Sequence, residues 1–164
     1  MALFSPECDH LAATLLAACS QQGIRLATAE SCTGGLIVGC LTEVPGSSAV
    51  VDRGYVVYDN RAKVEMLGVS EATLAEHGAV SEATAREMVR GALANSGCDL
   101  AVAVTGIAGP GGGSPDKPVG LVHLAAGRQG RPIRHERRVF AGDRAAVRLA
   151  TVQAALQLSL EVVA

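Results

Sequence analysis

Three short segments of the chain bring together hydroxyl, ammonium and glycine groups, the groups that acyl-transfer chemistry requires. Residues 31–35 place a serine, a cysteine and a threonine ahead of two glycines, residues 58–63 run from a tyrosine to a lysine, and residues 105–114 form the stretch richest in glycine. A serine hydroxyl becomes a nucleophile when a neighbouring base accepts its proton. Lysine can be that base, since it loses its own proton far more readily than arginine does. The residue types therefore make Ser31 a candidate nucleophile and, separately, Lys63 a candidate base.

Each segment also has an ordinary structural explanation. A serine before a helix is most often an N-cap, a lysine is most often a solvated surface residue, and a glycine-rich stretch is often a surface hairpin. Two observations favour function. Lys63 is one of only two lysines beside twelve arginines, and a loop of thirteen residues (106–118) is long for so small a domain.

The elements that must position these groups follow from hydrophobic periodicity and capping residues. Helices are predicted over 6–22, 34–42, 61–67, 82–96 and 143–162, with a further helix N-cap at Ser70, and strands over 24–29, 54–58, 99–105, 119–126 and 133–140. The last two strands are expected to be antiparallel. This alternation predicts an α/β fold of three layers, with a mixed sheet between two helical layers. Ligands in such sheets bind beyond the carboxyl ends of the strands, where all three polar segments fall.

Composition narrows the class of protein. The 164 residues predict a single domain, and 14 basic against 16 acidic residues give a formal charge of −2. With only four aromatic residues and no tryptophan, we expect no nucleic-acid partner. We also expect a cytoplasmic protein without a membrane span or secretion signal. Five cysteines without a C-x-x-C pair and scattered histidines predict neither a disulfide framework nor a metal site.

Four separated motifs resemble one known family. ATAESCTGGLI (27–37), VPGSSAVVDRGYVVYDNRAKVEMLGV (44–69), HGAVSEATAREM (77–88) and AVAVTGIAGPGGGSPDKPVGLVHLA (101–125) are similar, in that order, to the nicotinamide-nucleotide amidases of the CinA C-terminal domain family. The resemblance covers about residues 10–160, and we expect the stand-alone form of this domain.

The resemblance implies hydrolysis of the carboxamide of nicotinamide mononucleotide to nicotinic acid mononucleotide and ammonia, without a metal or other cofactor. It implies that the catalytic residues are Ser31, Tyr58, Lys63 and Thr105. The residues expected to bind the nucleotide substrate are Thr33, Gly34, Gly35, Ser47, Ser48, Gly106, Gly109 and Gly111. In this scheme Tyr58 helps to orient the amine of Lys63, and N–H groups near Gly34 or Gly106 stabilise the oxyanion.

Three alternatives remain at this stage. Cys32 could replace Ser31 as nucleophile, although no histidine falls in the three segments to activate it. The chain could be a nucleotide-binding or regulatory module without catalysis, whereas a role in DNA uptake finds no support in the charge. A homodimer is expected, as for many small α/β enzymes.

Overall fold

A computed structural model describes all residues, 1–164. Its helices are α1 (Pro6–Gln22), α2 (Leu36–Thr42), α3 (Asn60–Leu67), α4 (Glu71–His77), α5 (Glu82–Ser96) and α6 (Arg144–Val163). Its strands are β1 (Leu26–Glu30), β2 (Val51–Val56), β3 (Leu100–Gly106), β4 (Leu121–Arg128) and β5 (Arg134–Val139), and a single 3-10 turn spans Ser47–Ala49. Every helix and strand predicted from the sequence is present, with ends displaced by a few residues.

The five strands form one sheet in the order β2-β1-β3-β4-β5. Strand β1 pairs in parallel with both β2 and β3, whereas β4 is antiparallel to β3 and β5 is antiparallel to β4. The predicted mixed sheet is therefore confirmed. Because β1, β2 and β3 run in one direction, their carboxyl ends meet at the same edge of the sheet.

Helices cover both faces of the sheet, which confirms the three-layer α/β prediction. One apolar cluster joins the sheet to α1, α2 and α6, and another joins it to α3 and α5. Alternate residues of β3 divide between them: Val102 and Val104 belong to the first cluster, Ala101 and Ala103 to the second. The five cysteines are free and buried.

Helix α6 forms much of one helical layer and lies close to the edge of the sheet at which β1, β2 and β3 end. Asp143 caps its first turn by accepting a hydrogen bond from the N–H of Ala146. Its length and hydropathy match those of a membrane-spanning helix by composition alone, but ten of its side chains are buried inside the protein. The helix thus packs as a core element.

Strand β2 differs most from its prediction, because it covers Val51–Val56 rather than 54–58. The chain leaves the sheet after Val56. Val57 keeps one bond to β1, its N–H donating to the carbonyl of Glu30. The carbonyls of Val57 and Tyr58 instead accept hydrogen bonds from the amine of Lys63.

Candidate active site

Ser31 and Lys63 are in direct contact at the carboxyl edge of the sheet. Ser31 follows β1, Lys63 lies in the first half of α3, and Nζ of Lys63 is 3.1 Å from Oγ of Ser31. Both side chains are buried, with Lys63 only 1% exposed. The serine and the lysine that the family resemblance implies are therefore in direct contact.

Burial of Lys63 acts against the charged form of its amine. Its Nζ also contacts the carbonyl oxygens of Val57 at 2.9 Å and Tyr58 at 3.2 Å. Burial lowers the pKa of Lys63 from its ordinary value, and the nearby Asp59 carboxylate opposes that shift. A neutral amine can donate its two hydrogens to the two carbonyls, which leaves its lone pair for the hydroxyl proton of Ser31.

Tyr58 orients the amine through its backbone and not through its phenol. The side chain is exposed, and its hydroxyl accepts a hydrogen bond from Nη2 of Arg144 at 3.0 Å. The expected orienting role of Tyr58 is thus carried by a carbonyl group, which any residue would supply. The phenol is left facing the mouth of the site.

Cys32 lies beside Ser31 but has the wrong acidity for a nucleophile. Burial raises the pKa of its thiol to about 11, with the Glu30 carboxylate adding to the rise. At neutral pH the group therefore remains a thiol, which is a poor nucleophile. The structure favours Ser31 over this alternative.

The turn that carries Ser31 is held from inside by a buried carboxylate. Glu30 is completely buried and accepts hydrogen bonds from the hydroxyls of Thr28 and Thr33 and from the N–H groups of Ile37 and Val38 in the first turn of α2. The hydroxyl of Thr33 is therefore committed to Glu30, so the structure does not present it to a substrate as expected. The Glu30 carboxylate also accepts from the N–H groups at the start of α2, so those groups are not free to bind an anion.

A cavity of about 180 Å³ opens above the Ser31–Lys63 pair. Its lining residues are Ser31, Cys32, Tyr58, Asn60, Lys63, Ala79, Val80, Thr105, Gly106, Ala108 and Arg144. A wider cavity of about 670 Å³ adjoins it, and the two share Ala108 and Arg144. The small cavity thus holds the reactive groups and the larger one offers room for the rest of a ligand.

Thr105 lines the small cavity at the end of β3, as the sequence predicts. Its hydroxyl donates to the carbonyl oxygen of Ala79 at 2.9 Å. Ala79 and Val80 line the same cavity, so this bond ties that part of the lining to β3. The hydroxyl oxygen of Thr105 keeps lone pairs with which to accept from a substrate.

The predicted glycines play different structural roles. Gly34 and Gly35 have φ of +58° and +101°, and Gly109 has φ of +84°, a region that favours glycine. A Cβ on Gly106 would come within 2.6 Å of Val122 Cγ2, so packing against β4 requires a glycine there. Gly111 has open space around it and an ordinary φ, and nothing in the structure requires a glycine at that position.

Ser47 and Ser48 are not brought to this site. They precede β2, whose first residue Val51 pairs with Leu26 at the amino end of β1. Ser31 lies beyond the carboxyl end of β1, at the opposite edge of the sheet. The carbonyl of Ser48 instead accepts a hydrogen bond from Arg25.

Sequence reasoning did not single out Glu30 or the two arginines that begin α6. Nη1 of Arg144 donates to the carbonyl of Gly109, while Arg148 donates to the carbonyls of Cys32 and Thr33. Their spacing of four residues places both on one face of the helix, a signal that was available in the sequence. No group of three or more His, Cys, Asp or Glu side chains that could hold a metal ion occurs in the structure.

Comparison with known proteins places this chain among close relatives. The family model described as the CinA C-terminal domain matches residues 8–163. A nicotinamide-nucleotide amidohydrolase PncC of Enterobacter agglomerans is 50% identical over 152 residues, covering 92% of each chain. A putative competence-damage inducible protein of Caldicellulosiruptor bescii is 52% identical over 139 residues, which are 85% of this chain but 34% of that protein. The chain thus spans about a third of some of the curated relatives that it matches.

A solved structure agrees over the whole length. The competence/damage inducible protein CihA from Agrobacterium tumefaciens superposes with a TM-score of 0.96 at 52% identity, covering 99% of each chain.

Proposed function

The chain belongs to the CinA C-terminal domain family, and from this premise we propose that it hydrolyses the carboxamide of nicotinamide mononucleotide, with Ser31 as nucleophile and Lys63 as base. The observation that carries the proposal is the 3.1 Å contact between Lys63 Nζ and Ser31 Oγ inside a small polar cavity. The name of the Enterobacter relative, which covers nearly the whole chain, supports the choice of substrate.

The reaction begins with proton transfer within this pair. The neutral amine of Lys63 accepts the hydroxyl proton of Ser31 as Oγ attacks the carboxamide carbon and the C=O electron pair moves onto oxygen. When the oxyanion collapses, the C–N bond breaks and Lys63 returns the proton to the leaving nitrogen, which departs as ammonia. Water then attacks the acyl ester in the same way and releases the carboxylate and the serine.

The oxyanion needs N–H donors that are otherwise free. The N–H of Gly34, one of the groups expected from the sequence, donates to the carbonyl of Ser31. The N–H of Cys32, a residue that lines the small cavity, donates to no other backbone group, whereas Thr33 is fully buried and does not line that cavity. We therefore assign the oxyanion to the N–H of Cys32, a donor worth roughly 3–4 kcal/mol of transition-state stabilisation.

The nucleotide part of the substrate would occupy the larger cavity. Arg144 lines both cavities, and Arg148 lines the larger one. No carboxylate pairs with either guanidinium, so Arg144 remains available to an anion. With the phosphate bound at Arg144, the nicotinamide ring of the substrate would be directed at Ser31.

Ammonia release from nicotinamide mononucleotide tests the proposal. We expect turnover by the wild type, a loss of about 10³-fold or more in Ser31→Ala and Lys63→Met, and little change in Ser48→Ala. Ser48→Ala is the matched control because that serine lies at the far edge of the sheet. A loss in Cys32→Ala equal to that in Ser31→Ala would contradict the assignment of the nucleophile.

Ammonia release, compared with binding of the nucleotide, distinguishes catalysis from binding alone. A wild type that binds the nucleotide without releasing ammonia would be a binding or regulatory module, and the hydrolytic proposal would be wrong. Parallel measurements with the riboside and with free nicotinamide define how much of the nucleotide is needed.

A further inference from the structure

Asn60 brings an unengaged amide to the small cavity. Six residues of the lining have side chains with a hydroxyl, an amine, an amide or a guanidinium, namely Ser31, Tyr58, Asn60, Lys63, Thr105 and Arg144. The other five all form hydrogen bonds within the protein, whereas the amide of Asn60 forms none. It therefore keeps an acceptor oxygen and two N–H donors for a ligand.

Asn60 lies one helical turn before Lys63. It is the first residue of α3, directly after the N-cap Asp59, and residues three apart share one face of a helix. Asn60 is exposed and also lines a cavity of about 520 Å³ beside α3 and α4, whereas Lys63 is buried. The amide thus lies at an open side of the small cavity, on the same helix face as the amine that transfers the proton.

The proposed hydrolysis requires the carboxamide of the substrate to bind in one of two orientations. Its oxygen must face the N–H of Cys32, which receives the oxyanion, and its nitrogen must face Lys63, which returns the proton. An oxygen atom and an NH2 group are close in size, so the shape of the cavity distinguishes the two orientations poorly. A hydrogen-bond acceptor beside Lys63 does so, because the NH2 group donates and the carbonyl oxygen does not.

We infer that Asn60 is a specificity-determining residue: its Oδ1 accepts a hydrogen bond from the NH2 group of the substrate carboxamide and directs the leaving nitrogen to Lys63. This inference rests on the proposed amide hydrolysis. The carbonyls of Val57 and Tyr58 are engaged with the amine itself. Thr105 lies on the other side of Ser31, since β1 separates β2 from β3 in the sheet.

Two competing roles of Asn60 leave the N–H groups of the substrate unused: donation by Nδ2 to the carbonyl oxygen, and contact with the ribose. A methyl ketone analogue of the mononucleotide, with CH3 in place of NH2, separates these roles from the proposed one. The analogue keeps the carbonyl, the ring, the ribose and the phosphate, and it lacks only the two N–H groups. The ratio of its dissociation constant to that of the amide therefore measures the contact with the NH2 group.

The experiment measures both dissociation constants by titration calorimetry in Ser31→Ala, which cannot attack either carbonyl. We expect this protein to prefer the amide over the ketone. Adding Asn60→Ala should reduce the preference by about threefold to tenfold, because the amide loses one hydrogen bond while the ketone loses none. Adding Asn60→Asp should keep the preference, since a carboxylate accepts but does not donate and its charge acts on both ligands alike.

The matched control is Asn95→Ala, which removes the other asparagine of the chain. Its amide donates to the carbonyl of Met66, and it lines neither of the cavities that Asn60 lines. Adding Asn95→Ala should leave the preference for the amide unchanged. Because Asn60 is exposed and is not the N-cap of α3, Asn60→Ala should unfold at the temperature of the wild type.

The outcomes separate the inference from the proposed function. Equal losses of affinity for the amide and the ketone in Asn60→Ala would overturn the inference, and so would unchanged affinities or a preference that is lost in Asn60→Asp as well. A wild type that prefers the amide through Asn60 but releases no ammonia would contradict the proposed function and leave the recognition of the amide in place. If Ser31→Ala binds neither nucleotide, both are wrong.

Discussion

The amine of Lys63 and the hydroxyl of Ser31 lie 3.1 Å apart although 32 residues separate them in the chain. The contact exists because β1 and β2 are parallel neighbours, so the turn after one strand meets the helix that follows the other. Two carbonyls from the β2–α3 connection then hold the amine in place. The pair is therefore built by the sheet and does not depend on a flexible loop.

The first prediction concerns the charge next to Lys63. The Asp59 carboxylate raises the pKa of Lys63 against the larger effect of burial, so Asp59→Asn should lower that pKa further. In a plot of kcat/KM against pH, the rise on the acid side reports the pKa of the base in the free enzyme. This rise should move to lower pH by roughly 0.3–1 unit. Asparagine also caps helices well, so α3 should be preserved.

The control for this shift is Glu65→Gln, which removes an exposed carboxylate from the same helix that does not influence the pKa of Lys63. Its pH profile should match the wild type. If the acid-side rise of kcat/KM moves to higher pH in Asp59→Asn, or moves equally in both variants, it does not report the pKa of Lys63.

The second prediction concerns the buried carboxylate under the turn. Glu30→Gln keeps the size of the side chain but replaces one acceptor oxygen by a donor, which faces hydroxyl and N–H donors that then lack a partner. We expect the free energy of unfolding in urea to fall by about 2–4 kcal/mol. The exposed Glu43→Gln should change it by less than about 0.5 kcal/mol. Equal values for the two variants would show that Glu30 does not hold the turn.

The third prediction concerns Arg144, which donates to Tyr58 Oη and to the carbonyl of Gly109 and lies between the two cavities. If it binds the phosphate, Arg144→Met should raise KM for the mononucleotide about tenfold or more, since a charged hydrogen bond is lost. KM for the riboside, which has no phosphate, should change little. Equal effects on both substrates would assign Arg144 to shaping the cavity.

Much of this site follows from local sequence patterns. Ser31 and Lys63 follow runs that predict strands and Thr105 ends such a run, and the rule that carboxyl ends of parallel strands share an edge brings them together. Hydrophobic periodicity and caps such as Ser81 and Asp143 define the helices without knowledge of the tertiary structure.

The remaining features depend on contacts between distant parts of the chain. Ser47 and Ser48 are expected near the substrate only in the scheme that follows from the resemblance, whereas they precede β2 and therefore lie at the opposite edge of the sheet. No local pattern reveals that Glu30 turns inward to Thr33 and α2, or that Arg148 reaches a turn more than a hundred residues earlier.

The last prediction concerns a histidine pair on β4 and β5. Nδ1 of His123 lies 2.9 Å from Nε2 of His135, and His123 is directly opposite Thr105 in the sheet. Burial, and then the charges of His135, Arg137 and Lys117, lower the pKa of His123 to about 4 from its ordinary 6.5, with Glu82 opposing them.

The sign of the pH effect follows from these values. Between pH 6.5 and about 4 the unfolded chain binds a proton on this residue that the folded protein does not bind. The free energy of unfolding should therefore fall as the pH falls through that window, by about 1–3 kcal/mol. His123→Gln removes the titrating group and should reduce this fall, whereas His10→Gln, at an exposed position of α1, should keep it. Urea unfolding at pH 7, 5.5 and 4.5 measures the difference, and the same slope in all three proteins would show that His123 is not the group responsible.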